Sequence, residues 1–143
     1  GYNYRLSNVL AGIGRGQMEV LDDRVEARRR VYEFYKESFK NIEELIFLDE
    51  PKGFYSNRWL SCTMTPSKVI REEIRLSLNE LNIETRPLWK PMHQQPIFKD
   101  APQYLNGVSD DLFEKGLCLP SGSNLTDDDL NRVSSAIKTY FRA

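Results

Sequence analysis

Histidine occurs once and cysteine twice in these 143 residues, and both scarcities exclude chemistry. A metal centre usually draws on several His, Cys or carboxylate ligands at set spacing, so the lone His93 does not make a zinc site. Cys62 and Cys118 are too few for a disulfide framework, and both lie in apolar, strand-like surroundings. They read as buried free thiols of a cytosolic protein. Neither sign of charge is in excess, with 20 Lys and Arg against 21 Asp and Glu. No global field therefore points to nucleic acid or to an anionic membrane surface. No apolar run approaches the roughly 18–20 residues of a membrane span, and no segment reads as a signal peptide. Repeats, low-complexity tracts, a nucleophile elbow, a phosphate-binding P-loop and a catalytic acid pair are also missing. The first residue is Gly1 rather than Met, which suggests a fragment or a processed tag.

What is present has the make-up of one globular domain, 40% hydrophobic and 29% charged. Between Ser7 and Phe39 there is no proline, and Met18, Leu21, Val25, Tyr32, Tyr35 and Phe39 fall at helical spacing. The pattern predicts one amphipathic helix with Ser7 as its N-cap. Such a helix would be on the order of 45 Å long, too long for a compact domain, so it either links two units or bends. "PKGF" (Pro51–Phe54) is a turn, and "NRWLSCTMT" (Asn57–Thr65) alternates as a buried strand. Ser67–Asn82 reads as a helix burying Val69, Ile70, Ile74, Leu78 and Leu81. Ile83–Leu88 is a short strand stopped by Pro87. A loop with Pro91, Pro96 and Pro102 follows, too rich in proline for regular structure. Ser109–Gly116 reads as a short helix ending at its glycine, "LCLP" as a strand, and Thr126 as the cap of a last helix. The expected fold is α+β, a small, mostly antiparallel sheet with helices on one face, after a long N-terminal helix. Residues 1–40 form the leading segment and 41–143 the small domain.

Three stretches carry candidate chemistry. "GIGRG" (Gly12–Gly16) looks like the start of a dinucleotide loop, but no strand precedes it, and glycines that let a helix pack closely are the better reading. "RRR" (Arg28–Arg30) could bind phosphate; with Glu26 and Glu33 nearby, a solvated helix face is the better reading. Lys90 and His93 sit with Trp89 in the proline-stiffened loop, which can hold a cation, an imidazole and an aromatic in place for an anionic ligand. A merely structural histidine is the alternative.

The opening "GYNYRLSN", with "RPLWKPMHQQPIF" (Arg86–Phe98) and "LFEKGLCLPSGSNLTDDDLNRV" (Leu112–Val133), closely resembles the DegT/DnrJ/EryC1/StrS family of pyridoxal-phosphate-dependent sugar aminotransferases. The resemblance spans essentially the whole chain. It implies the C-terminal small domain of a fold-type I pyridoxal phosphate (PLP) enzyme. The lysine that binds PLP covalently, and the aspartate and aromatic that hold its ring, would then lie in an N-terminal domain upstream of Gly1.

By the same resemblance, Asn3 matches the asparagine that reaches across the family's homodimer interface to the PLP phosphate. Arg5 matches an arginine at the mouth of the site, either on the nucleotide diphosphate or on a structural carboxylate. Lys90 and His93 match the loop that approaches the nucleotide-sugar, Trp89 either packs that loop down, the better reading, or contacts substrate, and Tyr2 and Tyr4 read as interface packing. The implied parent is a cytoplasmic homodimer that transfers an amino group, with glutamate as donor, to a nucleotide-linked keto-sugar for polysaccharide or amino-sugar synthesis. None of the eight lysines stands in the Schiff-base context, so the chain alone is expected to be inactive. Two alternatives stand beside this: a PLP-dependent sugar dehydratase of the same family, and a non-catalytic dimerisation or ligand-binding domain.

Overall fold

The computed structural model describes residues 2 and 4–142. In chain order these form α1 (Asn8–Glu19), α2 (Leu21–Ser38), β1 (Ile46–Phe47), β2 (Ser61–Met64), α3 (Lys68–Glu80), β3 (Arg86–Pro87), α4 (Val108–Lys115), β4 (Gly116–Leu119) and α5 (Asp127–Tyr140). Two 3-10 turns, Met92–Gln94 and Pro96–Phe98, lie in the proline-rich loop. The sheet runs β1-β2-β4-β3 with every neighbouring pair antiparallel. The fold is thus α+β, as the sequence predicts.

Helix starts follow from side chains that accept the otherwise unpaired first N–H groups. The Ser7 hydroxyl accepts from Leu10 N–H and the Ser67 hydroxyl from Ile70 N–H. Thr126 and Asp129 form a reciprocal capping box at the start of α5. The single N-terminal helix expected over Ser7–Phe39 is instead two, parted at Val20 with ψ near 14°. The halves have different surroundings. Helix α1 buries nothing, and Met18 and Leu21 are exposed, whereas α2 buries Val31, Tyr32 and Tyr35.

One core holds the unit together. Val31, Tyr35 and Phe39 of the α2 region meet Ile74 and Leu78 of α3, Leu130, Val133 and Ile137 of α5, and Leu117 and Leu119 of β4. Helices therefore cover the face toward which Leu117 and Leu119 point. Their cross-strand partners Thr63 and Ser61 share that face, since directly opposite residues point the same way. Two apolar positions expected in this core, Val69 and Leu81, are exposed, while Arg71 of α3 is buried, donating from Nε to the Glu114 carbonyl at 3.2 Å.

Strand register and local backbone geometry account for three departures from expectation. Leu88 N–H donates to the Gly116 carbonyl, which puts Pro87, opposite Leu117, in a non-hydrogen-bonded slot. The missing proline N–H is not needed there, so Pro87 sits within β3 rather than ending the strand. Strand β2 is shorter than the alternating pattern suggested. Arg58 takes a left-handed conformation (φ 47°), and the Asn57 side chain accepts from Trp59 N–H, turning the chain before Ser61. Gly116 is extended (φ −81°, ψ 137°) and opens β4, rather than closing α4 in a left-handed cap.

Candidate functional site

The sheet face away from the core helices carries Cys62, Met64, Cys118 and Arg86, the residues that alternate with the core-facing ones. Against it lies a cavity of about 640 Å³, lined among others by Trp59, Arg86, Trp89, Phe113, Cys118 and Pro120. The two Trp rings lie 5.7 Å apart, tilted by 30°, and each is about 60% exposed. They are the chain's only tryptophans, 30 residues apart in sequence. A cavity with aromatic walls and few polar groups suits the apolar body of a ligand or of another protein segment.

Helix α2 reaches the cavity's wall through Arg28, the first of the arginine run, and ties down the flanking loops through the other two. Arg28 donates to the Trp59 carbonyl, and at 3.1 Å to the Ser121 carbonyl. Arg29 makes a two-pronged pair with Glu50 (2.9 and 3.2 Å) and donates to the Ser56 carbonyl. Arg30 pairs with Asp127 at 2.7 Å and donates to the Leu125 carbonyl at 3.0 Å. The expected solvated face is therefore a set of three clamps, tying α2 to the loops on either side of the cavity. The fork of a guanidinium suits this, because it can meet a carboxylate and a carbonyl together. The Arg29 hydrogen bond, aided by Ser56 N–H, lowers the Glu50 carboxyl to about 2.

The proline-rich loop carries the predicted substrate residues. His93 Nε2 lies 2.7 Å from Asp110 Oδ1, in the first turn of α4, and the Gln94 amide donates to the same oxygen. Those two contacts, Gln94 first, hold Asp110 below the usual carboxylate range. His93 is thus turned toward α4 and ties the loop down. It also borders a smaller cavity of about 270 Å³ with Met92, Phe98 and Tyr104. Lys90 is exposed on the same loop, its carbonyl accepting from the Gln95 amide at 3.2 Å. Arg5 is exposed ahead of α1, with the rings of Tyr2 and Tyr4 5.9 Å apart beside it. Asn3 lies outside the described residues.

The glycines of "GIGRG" do not mark close packing within this chain: a Cβ at Gly12, Gly14 or Gly16 would meet nothing within 4 Å. Among the described residues there is no cluster of three or more His, Cys, Asp or Glu able to hold a metal. Among the described residues no helix is long and apolar enough to cross a membrane. Cys62 and Cys118 are free, and they are direct cross-strand partners with sulfurs 3.6 Å apart, a pairing that sequence separation hid.

The DegT/DnrJ/EryC1/StrS aminotransferase family model matches residues 1–138, and the chain belongs to that family. EpsN of Bacillus subtilis (strain 168), provisionally named a pyridoxal phosphate-dependent aminotransferase, is 45% identical over 99% of this chain and 37% of its own length. The GDP-perosamine synthase of Escherichia coli O157:H7 is 32% identical over 99% of this chain and 38% of its own length. In fold, S. venezuelae DesV superposes with a TM-score of 0.89 at 20% identity, covering 100% of this chain and 38% of that one. The chain thus spans a little over a third of the length of the curated relatives it matches.

Proposed function

We propose that this chain is the C-terminal portion of a PLP-dependent aminotransferase that acts on a nucleotide-linked keto-sugar, with glutamate as amino donor. The observation that carries the reading is the family match over residues 1–138, together with relatives at 45% and 32% identity that run well beyond the chain's length. Sugar chemistry enters through the GDP-perosamine synthase.

The described residues do not by themselves make a PLP site. No lysine is among the residues lining either cavity, and Lys36, Lys40 and Lys115 are each engaged by a carboxylate. The role given to this chain is to supply a rigid wall: a cavity clamped by α2 and a substrate-facing loop held through His93 and Asp110. In the parent, Asn3 would donate to the cofactor phosphate across a homodimer interface, since an amide can bond phosphate without adding charge. Arg5 and the exposed Lys90 would meet the diphosphate of the nucleotide.

The test is to incubate the parent with PLP, glutamate and a panel of UDP-, dTDP- and GDP-linked keto-sugars, following amino-sugar formation. Transfer to at least one member supports the reading; loss of water from the sugar without amino transfer favours the dehydratase, and no reaction with any member rejects both. The isolated chain, mixed with PLP and reduced with borohydride, should show no specific, stoichiometric lysine adduct. Uniform labelling of one lysine would overturn that expectation.

A further inference from the structure

The sheet places the chain's two cysteines directly opposite each other. Thr65 N–H donates to the Lys115 carbonyl at 3.0 Å, which makes Thr65 and Lys115 a hydrogen-bonded pair. Such pairs alternate along an antiparallel ladder. Thr63–Leu117 and Ser61–Leu119 are then of the same kind, and the Ser121 hydroxyl accepts from Ser61 N–H and donates to the Leu119 carbonyl. Cys62–Cys118 falls in the non-hydrogen-bonded slot between them. In that slot Cα atoms lie about 4.5 Å apart and side chains approach most closely. This separation is at the near edge of the roughly 4.4–6.8 Å that a disulfide spans. With the sulfurs already 3.6 Å apart, side-chain rotation is the main movement needed to join them.

We propose that Cys62 and Cys118 form a reversible redox modification site, a dithiol reached from the cavity through Cys118 that hydrogen peroxide converts to a cross-strand disulfide. Access and reactivity support it. Cys118 lines the 640 Å³ cavity, and Cys62 is only half-buried. Cys118 is the member of the pair that lines the cavity, so a peroxide entering there meets it first, and the hydrogen bond from Cys62 lowers its thiol below its ordinary value; Cys118 is therefore the nucleophile and Cys62 the resolving partner.

The step balances. The Cys118 thiolate attacks one peroxide oxygen, the O–O bond breaks, and the departing hydroxide takes up the proton Cys118 released, giving water and a sulfenic acid. The Cys62 sulfur then displaces the hydroxyl, forms the S–S bond, and its proton leaves with that hydroxyl as a second water. Two thiols are oxidised by two electrons, and one peroxide is reduced to two waters.

The test treats the native chain with hydrogen peroxide and reads intact mass, free thiols and a non-reducing peptide map. The expected result is a chain lighter by two hydrogens, loss of both thiols together, a peptide joining Cys62 to Cys118, and full reversal by dithiothreitol. Fluorescence of Trp59 and Trp89, which line the same cavity, should be quenched on oxidation. In Cys62→Ser, no mass loss of two hydrogens should occur, and Cys118 sulfenic acid should be trapped by dimedone. Three results would each overturn the proposal: two inert thiols, oxidation of one cysteine to sulfinic acid with the other free, or a disulfide only between chains. The native chain alone decides among these, so a serine variant that fails to fold leaves the test intact.

Discussion

Replacing Gly116 with alanine tests the packing where α4 turns into β4, at the edge of the cavity. A Cβ there would stand 2.2 Å from Leu88 Cδ1 and 2.5 Å from the Leu112 carbonyl oxygen. Leu88 can swing part of the way out. The Leu112 carbonyl cannot, because it is the backbone of α4's last turn and accepts Gly116 N–H. Relief requires α4 to shift, with an overpacking cost of about 1–3 kcal/mol and the weakening of a hydrogen bond of about 1 kcal/mol. Gly116→Ala should therefore lose about 2–3 kcal/mol, lowering the thermal midpoint by about 5–10 °C. Gly14→Ala is the matched control: it adds a methyl to open solvent within α1, and its sign should be opposite, a gain of about 1 kcal/mol. Urea unfolding at equilibrium, with slopes compared as well as midpoints, reads both. The reasoning fails if Gly116→Ala stays within about 0.5 kcal/mol of the unsubstituted chain, or if Gly14→Ala destabilises as much as Gly116→Ala.

Three further outcomes are expected. Thr126→Ala should cost about 1 kcal/mol by opening the capping box of α5, and Thr126→Ser should recover most of it in the same urea assay. Glu50 is lowered from 4.5 to about 2 in the fold, so its stabilising contribution is complete above 4.5 and lost as pH falls toward 2. Acid unfolding curves of Glu50→Gln and the unsubstituted chain should converge at the low end of that window; a constant gap across it would refute the Arg29–Glu50 assignment. Asp110→Ala should release His93 and Gln94, so amide exchange should quicken in the loop around residues 91–98 while β2 and β4 stay protected. Unchanged exchange in that loop would mean that the prolines alone hold it.

The elements most legible in the sequence were those specified by local chemistry. Ser7 and Thr126 cap helices where expected, because a cap needs only an oxygen three residues from an N–H. Leu130, Val133 and Ile137 recur at helical spacing, and they are the buried face of α5. What escaped depends on partners distant in sequence. Arg28, Arg29 and Arg30 looked solvated beside their own helix's glutamates, yet their acceptors lie between 21 and 97 residues away. The strand register that pairs Cys62 with Cys118, and that admits Pro87 into β3, is likewise set by tertiary assembly. At the candidate site, Lys90 and His93 do share a loop, but no local pattern marked Asp110 as the group that His93 faces.

Pro87 has a consequence for the molecule's company as well as its shape. Strand β3 is an outer strand, and a residue in the non-hydrogen-bonded slot directs its backbone polar groups away from the sheet. At Pro87 the direction that faces an incoming chain offers no N–H donor. The opposite border, β1, is only two residues long. A foreign strand thus finds too short a template on one side and a missing rung on the other. Both borders blunt the edge-to-edge addition by which open sheets recruit one another into aggregates.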